Sequence, residues 1–138
     1  AGGHNAIKNL IHLSVYQTNA ALSNSGIDNV RFRVVHILED PTFNDVPGID
    51  TGEFIDHIAN STDEQKFAHI HSKREDVGAD IVVAIGENVV AGVSSSLGKE
   101  YYLMKKGFAE VRRDQAALSG HYLFAHEVGH IMGGHHHL

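Results

Sequence analysis

The segment His126-Glu127-Val128-Gly129-His130 places two histidines four residues apart, and it constrains the fold more than any other part of the chain. Residues four apart lie on one face of a helix, so both imidazoles can reach a single ion only if the segment is helical. Glu127 lies about 100° around that helix from His126, which places its carboxylate beside the ion. The spacing therefore predicts a metal site on a helix, with Glu127 suited to handling a water molecule.

The residues after this segment extend it to the pattern HExxHxxGxxH, with Gly133 and His136 at the required positions. A glycine is needed there because the helix must end sharply, commonly with a positive φ, before the chain can turn back. The turn then offers the imidazole of His136 to the ion. Three imidazoles leave one position of a tetrahedral zinc ion open for water. We therefore expect Zn²⁺ bound by His126, His130 and His136, with Glu127 as the general base.

Other interpretations of these histidines stay open. His135, His136 and His137 could be the remnant of a purification tag, and His126 and His130 could be ordinary helix histidines. A purely structural zinc site is a further alternative, although such sites normally have four protein ligands and often include cysteine. The chain has no cysteine, which excludes disulfides, Cys-based zinc sites and cysteine nucleophiles.

Composition limits the partners of the chain. Its 138 residues suggest a single domain, and the hydrophobic fraction of 42% is ordinary for a soluble globular protein. No apolar stretch approaches the roughly 18 to 20 residues that span a membrane. The net charge of −6 argues against nucleic acid or an anionic membrane as the main partner. We expect neither nucleic acid nor a membrane as a partner, and the sequence does not indicate the oligomeric state.

Hydrophobic periodicity predicts an α/β domain with a mixed sheet. Helices are expected from Asn5 to about Ser23, over Asp50–Ala59, from Ser61 to about Glu75, and from Ser119, as the capping residue, to about Met132. Strands are expected over Val30–Leu38, Ala79–Ile85, Gly92–Leu97 and Phe108–Arg112, with a loop over Glu39–Gly48. The uninterrupted apolar run ADIVVAI is typical of a central, parallel strand, and the small, polar GVSSSL is typical of a short edge strand.

The stretch FAHEVGHIMG, with the histidines after it, resembles the metzincin metallopeptidases. The likeness is greatest to bacterial reprolysin-like (adamalysin-related) endopeptidases, including the peptidyl-Asp metalloendopeptidase type. It extends over most of the chain, because NAIKNLIHLSVYQTNAALSNSGI and VRFRVVHIL are similar to the family's opening helix and second strand. GADIVVAI is similar to its central strand, and AGVSSSL to its antiparallel edge strand.

This resemblance implies a zincin-like fold, with a mixed, mostly parallel sheet, an antiparallel edge strand and the HExxH motif on the active-site helix. It also implies a secreted or extracellular zinc-dependent endopeptidase. Metzincins hold an extended peptide along the edge strand, so Gly92, Val93, Ser94 and Ser95 are the expected substrate-binding residues.

Three features depart from the family pattern. His137 follows the third histidine, where reprolysins often have Asp, and this leaves the subfamily open. The family's Met-turn is expected tens of residues downstream, but the chain ends at Leu138, and Met132 lies inside the motif. A strand that normally precedes the first helix is also missing. We therefore expect residues 1–138 to be a zincin-like catalytic domain truncated at both ends.

Two alternative functions remain. The chain could be a zinc-binding fragment of a larger protease without turnover of its own. It could also be a zinc hydrolase of another class, whose third ligand is a residue other than His136. An Asp-directed cleavage preference is implied by only one branch of the resemblance.

Overall fold

The computed structural model describes residues 3–40, 55, 58–59, 64–89, 92–95, 107–117 and 121–136. These residues contain helices α1 (Gly3–Asn24), α2 (Glu64–Val77) and α3 (Leu123–Ile131), and strands β1 (Val82–Gly86), β2 (Gly92–Ser94) and β3 (Phe108–Arg112). One 3₁₀ turn, Arg113–Gln115, follows β3 directly. None of the helices in this part of the chain combines the length and apolar character that crossing a bilayer requires.

The three strands form one sheet in the order β1-β3-β2, with β3 in the centre. β1 runs parallel to β3, with Val82 opposite Phe108, and β2 runs antiparallel to β3, with Ser94 opposite Ala109. The expected mixed sheet is confirmed, and β2 is an antiparallel strand at its edge. Within the described residues the sheet has one parallel and one antiparallel pair, so the parallel majority we expected is not present there.

The two faces of the sheet carry separate cores because successive side chains of β3 point in opposite directions. Phe108 packs on one face with Phe67 of α2 and with three buried residues, Ile55, Ile58 and Ala59. Val111 packs on the other face with Phe124 and Val128 of α3. Leu10 and Val15 of α1 pack against this second core. The sheet therefore lies between α2 on one side and α3 with α1 on the other.

Helix α1 agrees with its predicted span to within two residues at either end. It ends at Asn24, and Gly26 just beyond it has a φ of 76°. The N–H of Ile27 donates to the C=O of Leu22 at 2.9 Å, and the N–H of Gly26 donates to the C=O of Ser23 at 3.0 Å. This pair of bonds is a Schellman motif, which requires a residue that tolerates a positive φ.

The strand predicted over Val30–Leu38 is wrong, since none of these residues joins the sheet. The side-chain amide of Asn19 takes the place of a neighbouring strand. Its oxygen accepts from the N–H of Phe32 at 2.7 Å, and its nitrogen donates to the C=O of Phe32 at 2.9 Å. Alternating apolar and polar residues therefore do not require a β-strand. Such a segment can also pack on a helix without pairing with a strand.

The prediction that Ser119 caps the last helix is also wrong. α3 begins at Leu123, and the residue before it, Tyr122, has a left-handed conformation (φ 48°, ψ 41°) and makes no side-chain capping bond. The N–H of Phe124 donates instead to the C=O of Ala116 at 3.2 Å. A backbone carbonyl after β3 thus supplies the acceptor that a serine cap would have supplied.

The other predicted elements agree in type where the structure describes them. α2 ends two residues beyond its predicted end, β1 begins three residues later than predicted, and β3 has the predicted bounds. Of the predicted helix over Asp50–Ala59, the three described residues are helical and buried: Ile55, Ile58 and Ala59. The cap at Ser61, most of the loop Glu39–Gly48 and residues 96–97 of the edge strand lie outside the described residues.

Candidate active site

The turn after α3 brings the downstream chain back towards the helix. Gly133 has a φ of 99°, and its N–H donates to the C=O of His130 at 2.9 Å. The N–H of Gly134 donates to the C=O of Gly129 at 2.9 Å. These two bonds form a second Schellman motif, in which only glycine adopts the Gly133 conformation without strain. Gly134 serves a different need, since a Cβ atom there would lie 3.0 Å from the Gly129 oxygen.

Three imidazole nitrogens meet where the chain turns back. The Nε2 atoms of His126, His130 and His136 lie 3.0 Å from one another in all three pairs. An imidazole nitrogen offers either one hydrogen or one lone pair, so three of them cannot satisfy one another by hydrogen bonds in a closed triangle. Three lone pairs directed at one point are instead the arrangement that binds a metal ion. These are also the three residues that form a potential metal-binding group within the described part of the chain.

The tautomer of His130 is fixed by the turn itself. The Nδ1 atom of His130 lies 2.7 Å from the carbonyl oxygen of Gly134. Because a carbonyl oxygen only accepts, Nδ1 carries the hydrogen, and Nε2 of a neutral ring then carries the lone pair. Such a bond on the second ring nitrogen is the usual way in which a metal-binding histidine is oriented.

The dimensions of the triangle suit a zinc ion. An equilateral triangle of nitrogens 3.0 Å apart has its centre about 1.7 Å from each atom. Zinc–nitrogen bonds are roughly 2.0–2.1 Å long, so the three nitrogens lie close enough together for all of them to bind one such ion. Imidazole ligands also suit copper, iron and nickel, so the geometry fits zinc without fixing the identity of the metal.

The electrostatic environment favours the neutral form of His126. Partial burial lowers the pKa of its imidazole, and the neighbouring His130 and His136 lower it further because a second positive charge would be repelled. A lowered pKa means that the ring stays unprotonated at a lower pH than an ordinary histidine. Its lone pair is therefore available to a cation in neutral solution.

Glu127 lies one residue along the helix from His126, and only 4% of its surface is exposed. Burial raises the pKa of its carboxyl group, whereas the nearby His130 and a hydrogen bond with the Ser94 side chain act in the opposite direction. The carboxylate faces strand β2. A Cβ atom on Gly92 would lie 2.7 Å from Oε1 of Glu127 and 2.8 Å from its Cγ, so only glycine allows this approach.

The four expected substrate-binding residues differ in where their main-chain groups point. The N–H of Ser95 donates to the C=O of Phe108 at 2.9 Å, towards the centre of the sheet. Bonded and non-bonded pairs alternate along an antiparallel ladder, so Val93 also points its main-chain groups at β3. The main-chain groups of Gly92 and Ser94 consequently point away from β3, to the side of β2 on which the described residues form no further strand. The Oγ of Ser95 accepts from the N–H of Phe108 at 3.2 Å, which occupies it within the sheet.

The histidine spacing alone does not reveal that Gly134 and Ser94 also contribute to this site. Gly134 orients His130 through its carbonyl group, and the pair Gly133-Gly134 was the available signal for it. Ser94 was expected to bind substrate through its main chain, but its contact with Glu127 joins residues far apart in the chain. No local pattern encodes such a contact.

The role of Gly133 can be tested by its replacement with alanine. Gly133→Ala forces a side chain into a positive φ, which costs about 1–3 kcal/mol of folding free energy. Because the strain lies between His130 and His136, we expect zinc affinity to fall about tenfold or more. Gly26→Ala is the matched control, since it introduces similar strain at the end of α1, outside the segment that joins His130 to His136. Competition with a chromophoric chelator measures the affinity, and an equal zinc affinity in the two variants would contradict this role.

Comparison with known proteins assigns the family. The family model described as metallo-peptidase family M12B, reprolysin-like, matches residues 8–137. No curated protein and no solved structure matches the chain. The match covers nearly the whole sequence, and the reprolysin-like resemblance of the motif is confirmed at the level of this family. The chain therefore belongs to the reprolysin-like metallopeptidases of family M12B.

Proposed function

We propose that the chain is the catalytic domain of a zinc-dependent endopeptidase, with His126, His130 and His136 as the zinc ligands and Glu127 as the general base. One observation supports this most directly: three imidazole nitrogens converge at 3.0 Å beside a buried carboxylate on the same helix. Membership of a metallopeptidase family implies a metal ion, typically zinc, and a polypeptide substrate. The donor set and the family therefore support the same chemistry.

The residues of the chain divide the reaction between them. A zinc ion held by the three imidazoles would supply a bound water of lowered pKa and a Lewis acid for the scissile carbonyl. Glu127 would accept the proton of that water as it attacks and deliver the proton to the leaving amine. Its burial beside β2 excludes competing solvent and makes the carboxylate a better proton acceptor, because burial raises its pKa.

The open edge of β2 is the proposed binding site for the peptide main chain. The N–H and C=O groups of Gly92 and Ser94 point outward, and an extended peptide can pair with them as an added strand. Glu127 contacts both residues from the helix side. A peptide paired with this edge therefore passes directly over the carboxylate. Val93 and Ser95 contribute by holding β2 in the sheet.

Removal of the Glu127 carboxylate should abolish turnover without removing the metal. Glu127→Gln keeps the volume of the buried side chain, so we expect one zinc per chain and a loss of about 10²–10⁴ in kcat. Zinc content by atomic spectroscopy and hydrolysis of denatured casein measure the two properties, with a chelator added to show metal dependence. Glu75→Gln, the same change at an exposed position of α2, should behave as wild type. Retained turnover in Glu127→Gln would disprove the role of the carboxylate.

The third ligand is tested by a pair of neighbouring histidines. His136→Ala removes one corner of the triangle, and we expect zinc affinity to fall by at least about a hundredfold, with loss of hydrolysis. His135→Ala changes an exposed neighbour and should leave both unchanged. Isothermal titration with zinc compares the two variants. If His136→Ala keeps zinc and activity, the chain is a hydrolase of another class with a different third ligand.

The peptide-binding edge is tested with substrates rather than variants. Successive N–H groups of an extended peptide point in opposite directions, so only every second one can pair with β2. N-methylation of a paired position, away from the scissile bond, should raise KM about tenfold, and methylation one residue along should change KM by less than about twofold. An equal effect at adjacent positions would show that the peptide does not bind as a strand.

A zinc-binding fragment without turnover remains the second candidate. It predicts one zinc per chain and no casein hydrolysis by the wild type. The sequence resemblance further suggests an extracellular location and the peptidyl-Asp subtype. Sequencing of the casein fragments decides the last of these, because an Asp-directed enzyme leaves Asp at one fixed side of each cleaved bond.

A further inference from the structure

We propose that Gly92 and Ser94 are positioning residues for Glu127, so that the strand which binds the peptide also aims the general base. The proposal rests on the role of Glu127 proposed above. It assigns to Ser94 a side-chain function in addition to main-chain binding of substrate. The relevant unit is the three-residue strand β2, defined by Gly92, Val93 and Ser94.

Gly92 brings the backbone of β2 against the helix. A Cβ atom there would meet Oε1 of Glu127 at 2.7 Å, Cγ of Glu127 at 2.8 Å and Cγ of Leu123 at 2.8 Å. These are distances that real Cβ atoms essentially never show, and two of the atoms belong to the side chain of the base. The strand backbone therefore closes one side of the space in which the carboxylate lies.

Ser94 holds the carboxylate from a second direction. It lies two residues from Gly92, so both face the same side of the sheet, towards α3. Its side chain lies within reach of a hydrogen bond with Glu127. The Ser94 hydroxyl donates to the carboxylate in its ionised form, because a carboxylate only accepts. The backbone at Gly92 and the hydroxyl group of Ser94 together restrict the rotamers that the Glu127 side chain can adopt.

Val93 anchors this unit from the opposite face. Its side chain packs against the core around Phe108, and its main chain is opposite Glu110 of the central strand. β2 therefore cannot shift relative to α3 without disturbing the core around Phe108. Since the outward main-chain groups of Gly92 and Ser94 belong to the same strand, one element sets both the position of a bound peptide and that of the base.

Kinetics of Ser94 variants distinguish positioning from substrate contact. Ser94→Ala keeps the main chain, so we expect kcat to fall about tenfold while KM and zinc content change by less than about twofold. Ser94→Thr restores a hydroxyl and should recover most of kcat. Ser23→Ala removes an exposed hydroxyl at the end of α1 and should behave as wild type. An unchanged kcat in Ser94→Ala, or a raised KM with the same kcat, would overturn the proposal.

A spectroscopic measurement makes the test independent of turnover. In protein labelled with ¹³C-glutamate, the Cδ resonance of Glu127 is the one that disappears in Glu127→Gln. We expect Ser94→Ala to shift this resonance in both the zinc-free and the zinc-loaded protein, and Ser23→Ala to leave it in place. If the wild type hydrolyses no casein, the proposed function fails, and the resonance still reports on positioning. A resonance that does not move in Ser94→Ala would overturn the proposal in either case.

Discussion

The Schellman turn at Gly133 and Gly134 is the interaction on which the arrangement of the three histidines depends. His126 and His130 share a helical face whatever follows them, but His136 reaches the same point only because the chain reverses within three residues. The same turn uses the carbonyl of Gly134 to fix the hydrogen on Nδ1 of His130. One backbone motif therefore positions the imidazole of His136 and fixes the tautomer of His130. Both effects follow from two adjacent glycines.

The sheet buries the Glu127 side chain, which the helix alone could not do. An exposed carboxylate on a helix is an ordinary acid, whereas Glu127 is 4% exposed because α3 packs against β3 through Val128 and Phe124 and approaches β2 at Gly92. The close approach at Gly92 brings the edge strand to the carboxylate. The convergence of the three imidazoles thus depends on a local turn, while the environment of Glu127 depends on tertiary packing between elements far apart in sequence.

The same distinction between local and tertiary interactions explains which features the sequence could predict. The i, i+4 spacing and the glycine were sufficient to place His126, His130 and His136, because helical geometry and a positive φ are local properties. The type of β1, β2 and β3 followed from short apolar runs. The segment Val30–Leu38 was misassigned because Asn19, a distant residue, satisfies the backbone of Phe32. The start of α3 was misassigned for the same reason, since the acceptor for Phe124 is the carbonyl of Ala116. The Ser94–Glu127 contact depends on strand register, which no pattern in either segment contains.

The open edge of β2 has a consequence for the solution behaviour of the protein. Any extended chain can in principle add to an unpaired strand edge, including the same strand of another copy, and long edges of this kind promote aggregation. β2 spans three residues and presents outward main-chain groups at only Gly92 and Ser94. Two copies paired through so short an edge gain few hydrogen bonds. The brevity of the strand thus limits self-association through this edge.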